Sequence, residues 1–252
     1  MKTLLITTYL LTLLISNDSY GQDSTQTQTL RGVRIAGEAG LLNNPSLTDI
    51  QNKLVQTNIN AEQVGSTFGN LVLSFVRDTP KGMSETRLLY MQTFENGLRV
   101  SPAIRRARLY GFGIGLSHTY KLINTRRFIV GPTLGYDVMW YRLALLAPDR
   151  DNLLLANIAN NPATYSTTRF RQGFYLNLHG AVSADYRFHW FKRLYDEIRL
   201  GARIGYQLPF LNNKQWSFSD GTVGDLPAFR ANMLYYQVGL TFFDKRRGAG
   251  RR

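Results

Sequence analysis

Apolar and polar residues alternate with a period of two through most of this chain. The segment G-F-Y-L-N-L-H-G-A-V-S-A-D-Y-R-F shows the pattern in its longest form. One set of alternate positions is apolar or small, namely Phe174, Leu176, Leu178, Gly180, Val182, Ala184, Tyr186 and Phe188. A period of two predicts a β-strand, because successive side chains of a strand point to opposite faces.

Eight such runs follow one another, each bounded by turn residues. The predicted strands are Arg31–Gly40, Thr67–Arg77, Glu85–Glu95, Arg106–Lys121, Arg127–Leu143, Phe170–Phe188, Glu197–Phe210 and Arg230–Phe243. The connections after the second, fourth and sixth strands are short, whereas the others include the longest non-strand segments. The first long connection also predicts a short amphipathic helix with Ser46 or Thr48 as its N-cap. Short turns at one end and long loops at the other are typical of transmembrane β-barrels.

The two faces of each strand differ in polarity. On the seventh strand, Ile198, Leu200 and Ile204 share one face, and Arg199, Gly201 and Arg203 share the other. A soluble sandwich would turn the apolar faces inward, whereas a membrane barrel turns them outward. Strand length and rings near strand ends favour the barrel. Those rings are Tyr136, Trp140, Tyr141, Tyr186, Phe188, Trp190, Phe191, Phe242 and Phe243.

We therefore predict an all-β fold, an eight-stranded antiparallel up-and-down transmembrane β-barrel with long outer loops. A secreted soluble β protein is the alternative. Glycines on the polar faces suit a narrow lumen that must hold bulky side chains opposite them. They are Gly111, Gly113, Gly115, Gly201 and Gly205.

The first residues predict export. A basic start, the apolar run Leu4–Ile15 and small residues before Gln22 are typical of a signal peptide over residues 1–21. The run is too short for a transmembrane anchor, which needs about 20 apolar residues. We expect a disordered tail over 22–30, the barrel over 31–244 and a basic tail over 245–252.

The 252-residue chain is basic, with 30 Lys and Arg against 17 Asp and Glu and a formal charge of +13. Such a charge favours anionic partners, and export argues against nucleic acid among them. The absence of cysteine excludes disulfides, thiol chemistry and a lipoprotein anchor.

The closing Y-Y-Q-V-G-L-T-F-F, the signal ending S-Y-G-Q and the alternating strands resemble small outer-membrane β-barrel proteins of the OmpX and PorT-like kind. Gln237, Gly239 and Phe242 match the C-terminal assembly signal of that class, although here the basic tail D-K-R-R-G-A-G-R-R follows it. The resemblance implies the cell outer membrane, with the barrel-assembly machinery, outer-membrane lipids and lipopolysaccharide as partners. Members include structural barrels, adhesion or secretion accessories and lipid-modifying enzymes.

Few residues offer catalytic or metal chemistry. Ser117 and His118 point to opposite faces of a strand, and Ser183 lies about 13 Å along the strand from His179. Loop carboxylates could bind calcium or simply be solvated; they are Asp149, Asp151, Asp220 and Asp225. We therefore predict no catalytic residue, no cofactor and no metal.

The charged residues of the polar faces predict an ion-pair network that fills the lumen, because charges removed from water require partners. A turn centred on Lys192 would set Arg187 opposite Glu197 and Asp185 opposite Arg199. The predicted members are Asp137, Asp185, Arg187, Glu197, Arg199 and Arg203, with Arg34, Glu38 and Arg171 as further lumen candidates.

Two further basic groups lie at the predicted barrel ends. Arg105, Arg106 and Arg108 are candidate contacts to lipopolysaccharide phosphates at the outer rim. At the periplasmic end, phospholipid, peptidoglycan or an acidic partner could be the target. That second group comprises Lys121, Arg126, Arg127, Lys192, Arg193, Lys245, Arg246, Arg247, Arg251 and Arg252. For both groups, snorkelling rim charges are the alternative.

The function predicted from these patterns is non-enzymatic, a structural or interaction role through the outer loops. A transport or secretion accessory barrel is the alternative, and a lipid-modifying outer-membrane enzyme is the third hypothesis.

Overall fold

The computed structural model describes residues 29–42, 45–57, 59, 61, 64–94, 106–146, 167–188, 195–212, 215–219 and 221–244. The predicted signal peptide, the basic C-terminal tail and most of the N-terminal tail lie outside this part of the chain. Several residues named in the sequence analysis also lie outside it: Arg105, Asp149, Asp151, Trp190, Phe191, Lys192, Arg193 and Asp220.

The described residues form eleven strands and one helix. They are β1 (Leu30–Leu42), α1 (Pro45–Gln56), β2 (Thr67–Asp78), β3 (Gly82–Thr93), β4 (Arg106–Tyr120), β5 (Ile123–Asn124), β6 (Phe128–Leu146), β7 (Thr168–Phe188), β8 (Tyr195–Asn212), β9 (Trp216–Phe218), β10 (Gly221–Val223) and β11 (Met233–Asp244).

The long strands close into a barrel. Each of β1, β2, β3, β4, β6, β7, β8 and β11 pairs antiparallel with the next, and β11 pairs with β1 from Gly32↔Phe243 to Leu42↔Met233. This confirms the predicted eight-stranded, antiparallel, up-and-down barrel. Closure leaves no unpaired edge on the wall, which matters because lipid cannot satisfy open backbone groups.

The barrel wall has the polarity of a membrane protein. Large apolar side chains are exposed around it, including Ile35, Leu71, Phe75, Phe112, Leu134, Val182, Leu208 and Val238. The alternate positions are buried and carry the charged lumen residues, together with apolar side chains such as Val72, Leu89 and Met91. An apolar outer wall around a polar interior is the sidedness of a barrel in a bilayer. Among the described residues, no helix is both long and apolar enough to cross a membrane.

Two predicted girdle rings face the lumen instead. Tyr141 and Phe243 are buried inside the barrel, whereas the neighbouring Trp140 is exposed on the wall. The reason is the alternation itself, since adjacent residues of a strand cannot both face lipid.

A β-bulge in β7 corrects another prediction. Met139 pairs with Tyr175, but Tyr141 pairs with Gln172, so β7 contains one more residue than β6 between these pairs. One extra residue reverses the faces beyond it. As a result Gln172 is buried in the lumen and Arg171, predicted to face the lumen, is exposed on the outer wall.

The predicted helix is present, but the prediction of its N-cap residue was wrong. Helix α1 begins at Pro45, so Ser46 and Thr48 lie within its first turn. Proline suits this first position because its fixed φ is helical and its missing N–H needs no partner. The Ser46 hydroxyl instead accepts a hydrogen bond from the Arg230 backbone N–H at 3.1 Å.

The long-loop end of the barrel is filled by apolar packing. Phe229 inserts there, with its ring 4.8 Å from that of Tyr141 and its backbone carbonyl bonded by the Tyr175 hydroxyl. The Gln172 side chain accepts from the Phe229 N–H at 3.2 Å. Helix α1 contributes buried side chains to the same apolar cluster, namely Leu47, Ile50 and Leu54.

Candidate functional site

A charged cluster occupies the middle of the lumen. Arg34 contacts two carboxylates, Glu85 at 2.8 Å and Asp185 at 2.7 Å, and Arg203 contacts Glu85 at 2.6 Å. These side chains come from β1, β3, β7 and β8, so the pairs connect strands that are not neighbours in the wall. At most 2% of each side chain is exposed.

A second cluster lies towards the long-loop end. Arg87 contacts Glu38 at 3.3 Å and Asp137 at 3.5 Å. His179 bonds Asp137 through Nδ1 at 2.9 Å and faces Arg87 through Nε2 at 3.2 Å. This geometry fits the tautomer with the proton on Nδ1, because Arg87 can only donate. Amide groups of Asn70 and Gln237 also donate to Glu38.

A third cluster lies at the short-turn end. Asp78 accepts from Arg199 at 2.7 Å and contacts the Lys121 ammonium at 2.6 Å. Glu197 pairs with both Arg199 and Arg187. The Arg199 guanidinium also lies over the Phe243 ring, 4.3 Å from its centroid.

Opposite charges balance in this interior. The buried charged residues among those described are Arg34, Arg87, Arg199 and Arg203, and Glu38, Asp78, Glu85, Asp137 and Asp185. With the buried Lys121 ammonium, five cationic groups face five carboxylates, leaving His179 out of the count. Buried charges are tolerated when they are paired in this way.

Two glycines make room for these contacts. A Cβ atom at Gly201 would collide with the Arg34 guanidinium and the Asp185 carboxylate, and one at Gly115 would collide with the Asp137 carboxylate. The polar-face glycines therefore hold the space into which the charged side chains fold.

The predicted cross-strand partners on β7 and β8 were wrong by two residues. Asp185 lies opposite Gly201, and Arg187 lies opposite Arg199. The pairing is thus centred on position 193 rather than 192. Arg187 still reaches Glu197 diagonally, at 3.1 Å, but Asp185 pairs with Arg34 instead of Arg199.

Sequence reasoning missed Asp78, Glu85 and Arg87 as lumen residues. The signal was present in E-T-R-L-L-Y, where Glu85 and Arg87 share one face of a strand and Leu88 and Tyr90 share the other. Lys121 was assigned to the rim, but its ammonium is buried against Asp78. That burial lowers the pKa of Lys121, an effect that the hydrogen bond to Asp78 opposes.

The two described histidines, His118 and His179, lie in separate arrangements. The His179 side chain is fully buried among charged partners, and the Ser183 hydroxyl bonds Thr133 at 2.7 Å. On the outer wall near the short-turn end, His118 Nδ1 lies 2.9 Å from the Ser84 hydroxyl. No carboxylate in the described part of the chain bonds this histidine.

The loop carboxylate Asp225 has a cation as its partner. It lies 3.1 Å from Lys53 of α1, and this hydrogen bond and charge lower the pKa of the exposed Asp225 carboxyl. Within the described ranges, no group of three His, Asp or Glu side chains is placed to hold a metal ion.

The outer wall carries a basic pocket at the long-loop end. It has a volume of about 840 Å³ and is lined by arginines and aromatic rings, including Arg142, Arg169, Arg171, Tyr90, Tyr110, Phe112 and Trp140. Arg106 and Arg108, the predicted lipopolysaccharide contacts, are half-buried on the same end of β4 and do not line this pocket.

Comparison with known proteins found similar chains among solved structures. No protein-family model and no curated protein matches the chain. Among solved structures, Neisserial surface protein A is similar with 12% identity and a TM-score of 0.41, over 83% of this chain and 95% of that one. The outer membrane protease OmpT from Escherichia coli is similar with 8% identity and a TM-score of 0.34, over 89% and 99%.

Proposed function

We propose that this chain is a closed, non-enzymatic outer-membrane β-barrel with a structural or interaction role through its long-loop end. The observation that carries the proposal is the combination of an apolar outer wall with a lumen filled by paired charges. Eight strands enclose an interior only just wide enough for side chains. We further propose that it belongs with the OmpX and PorT-like barrels.

Three layers of side chains support a closed lumen. Phe229 fills the long-loop end, the ion pairs fill the middle, and Phe243 packs with Val76 and Met83 at the short-turn end. A continuous water path would have to break these contacts. This filling favours a structural barrel over the transport or secretion accessory, which would need an open or opening lumen.

The long-loop end is the surface offered to partners. It carries α1, the β9–β10 hairpin and the long connections, whereas the opposite end has short turns such as residues 79–81. Loops supported by a rigid barrel are a common place for binding functions. At the other end, the exposed Arg126 and Arg127 remain candidate contacts for phospholipid, peptidoglycan or an acidic periplasmic partner.

Fractionation and conductance test the proposal together. We expect the full-length protein in the outer-membrane fraction, with a gel band that shifts on boiling and with no steady current in planar bilayers. Recovery as a soluble periplasmic protein would contradict membrane insertion. Stable open-channel currents from folded protein would instead favour the transport alternative.

Within the part of the chain that the structure describes, the Ser84–His118 pair is an observation that favours a lipid-modifying enzyme. A serine bonded to a histidine on the wall could meet acyl chains, but a triad also needs a group that orients the histidine. We expect unchanged acyl patterns in extracted lipids on overexpression. An acyl pattern that changes on overexpression would establish the enzyme if Ser84→Ala, His118→Ala or His179→Ala abolished the change.

A further inference from the structure

Three arginines share one exposed face of the wall at the long-loop end. Arg142 on β6 lies directly opposite Arg171 on β7, and Arg169 is one outward position further along β7. Like charges placed directly opposite each other in a sheet are destabilising. Among the described residues, no acidic side chain pairs with any of the three arginines.

The β7 bulge creates this grouping. Without the extra residue between Gln172 and Tyr175, Arg171 would point into the lumen together with Tyr175 and Asn177. Bulges often redirect a side chain next to a binding site. Here the redirection brings Arg171 beside Arg142 instead of placing it among the buried ion pairs.

Aromatic rings lie next to the arginines on the side nearer the middle of the wall. The rings of Phe112 and Trp140 are stacked with centroids 6.5 Å apart, and both are exposed, as is Tyr90. Tyr110 lies opposite Arg142 on the neighbouring strand. Aromatic residues of barrels sit at the level of lipid headgroups, which places the guanidiniums at the height of phosphates.

We propose that this pocket binds the anionic, phosphate-bearing headgroup of an outer-leaflet membrane lipid. Arg142, Arg169 and Arg171 form charge-assisted hydrogen bonds to phosphate oxygens, for which guanidinium geometry is suited. The lipid chains lie along Trp140 and Phe112. The inference rests on the proposed membrane location, because a pocket on the wall meets lipid only if the wall is in a bilayer.

A binding experiment with matched variants tests the site. Folded full-length protein in non-ionic detergent is titrated with lipid A, phosphatidylglycerol, phosphatidylcholine or inorganic phosphate, and bound lipid is counted by native mass spectrometry. The site variant is Arg142→Gln with Arg171→Gln. The control is Arg31→Gln with Lys81→Gln, which removes the same charge from exposed positions at the opposite end.

We expect wild-type and control proteins to bind phosphorylated lipid alike, and the site variant to bind it about tenfold or more weakly, because it loses charge-assisted hydrogen bonds. Arg169→Gln alone should give a smaller loss in the same direction. Equal lipid binding by the site variant and the control overturns the proposal. So does binding of phosphatidylcholine or inorganic phosphate as tight as that of lipid A and phosphatidylglycerol.

The gel shift on boiling separates the two proposals. It is recorded on the same samples and reports whether each protein is a folded barrel. A protein that is soluble without detergent and shows no shift would contradict the membrane location and the lipid site with it. A protein that shows the shift, but whose variants bind lipid alike, would contradict only the lipid site.

Discussion

The guanidinium of Arg34 lies 2.7 Å from the carboxylate of Asp185, although 151 positions separate the two residues in the chain. Arg34 is on β1 and Asp185 is on β7, and β11 and β8 stand between these strands in the wall. The contact therefore crosses the lumen and joins strands that are not neighbours in the wall.

Removal of this carboxylate should destabilise the barrel strongly. We expect Asp185→Ala to lower the free energy of unfolding by about 3 to 5 kcal/mol, because it leaves Arg34 buried with one of its two partners missing. Urea unfolding in detergent micelles measures the change. Asp225→Ala is the control, since it removes an exposed carboxylate whose partner Lys53 is partly exposed, and it should change stability little. Similar stability losses in both variants would contradict a dry lumen pair.

A side chain at Gly201, which lies against that pair, should destabilise the barrel. In Gly201→Ala the added methyl group would displace the Arg34 guanidinium and the Asp185 carboxylate, and overpacking of this kind costs about 1 to 3 kcal/mol. The control is Gly37→Ala on β1, where nothing lies within 4 Å of the new Cβ. Unfolding midpoints in the same micelles compare them. If Gly37→Ala were the more destabilising of the two, backbone effects rather than lumen crowding would explain the result.

Strand positions could be read from the sequence because their signal is local. The eight predicted strands differ from the observed bounds by no more than three residues at either end, since alternation marks each strand without reference to the others. The glycines of the polar faces were likewise visible as a property of single strands.

Pairing partners could not be read in the same way. The register between β7 and β8 depends on the length and shape of their connecting turn, and a turn centred one position further on moved Asp185 from Arg199 to Gly201. The bulge that turns Arg171 outward leaves no mark in the alternation of β7 itself. Contacts across the lumen, such as Arg34 with Asp185, depend on the closed shape of the whole barrel.

A charge on the outer wall should impair insertion. Leu200 is on the apolar wall of β8 and is 41% exposed. We expect Leu200→Arg to cost about 2 to 4 kcal/mol if the site lies near the bilayer midplane. Leu122→Arg, in the short turn after β4, is the control because headgroups and water solvate it there. Folding yield into lipid vesicles gives the comparison. Equal yields for Leu200→Arg and wild type would contradict this assignment of the lipid face.

Helix α1 and the ion pairs should close the lumen independently. Ile50 is fully buried in the apolar cluster at the long-loop end, whereas Val55 of the same helix is exposed. Ile50→Asp places a charge in an apolar site and should release the helix from its packing. Val55→Asp adds the same charge at the surface and should not. We expect limited proteolysis to cleave within residues 45–57 faster in Ile50→Asp alone.

The barrel itself should remain folded and closed in that variant. Loss of helix packing at the long-loop end should leave the ion pairs of Arg34 and Arg87 in place, because these two residues lie deeper in the lumen. Ile50→Asp should therefore keep the gel shift on boiling and carry no steady current in planar bilayers. Loss of the gel shift would show that the barrel folds only when the helix is packed. A steady current would show that the apolar packing, rather than the ion pairs, prevents conduction.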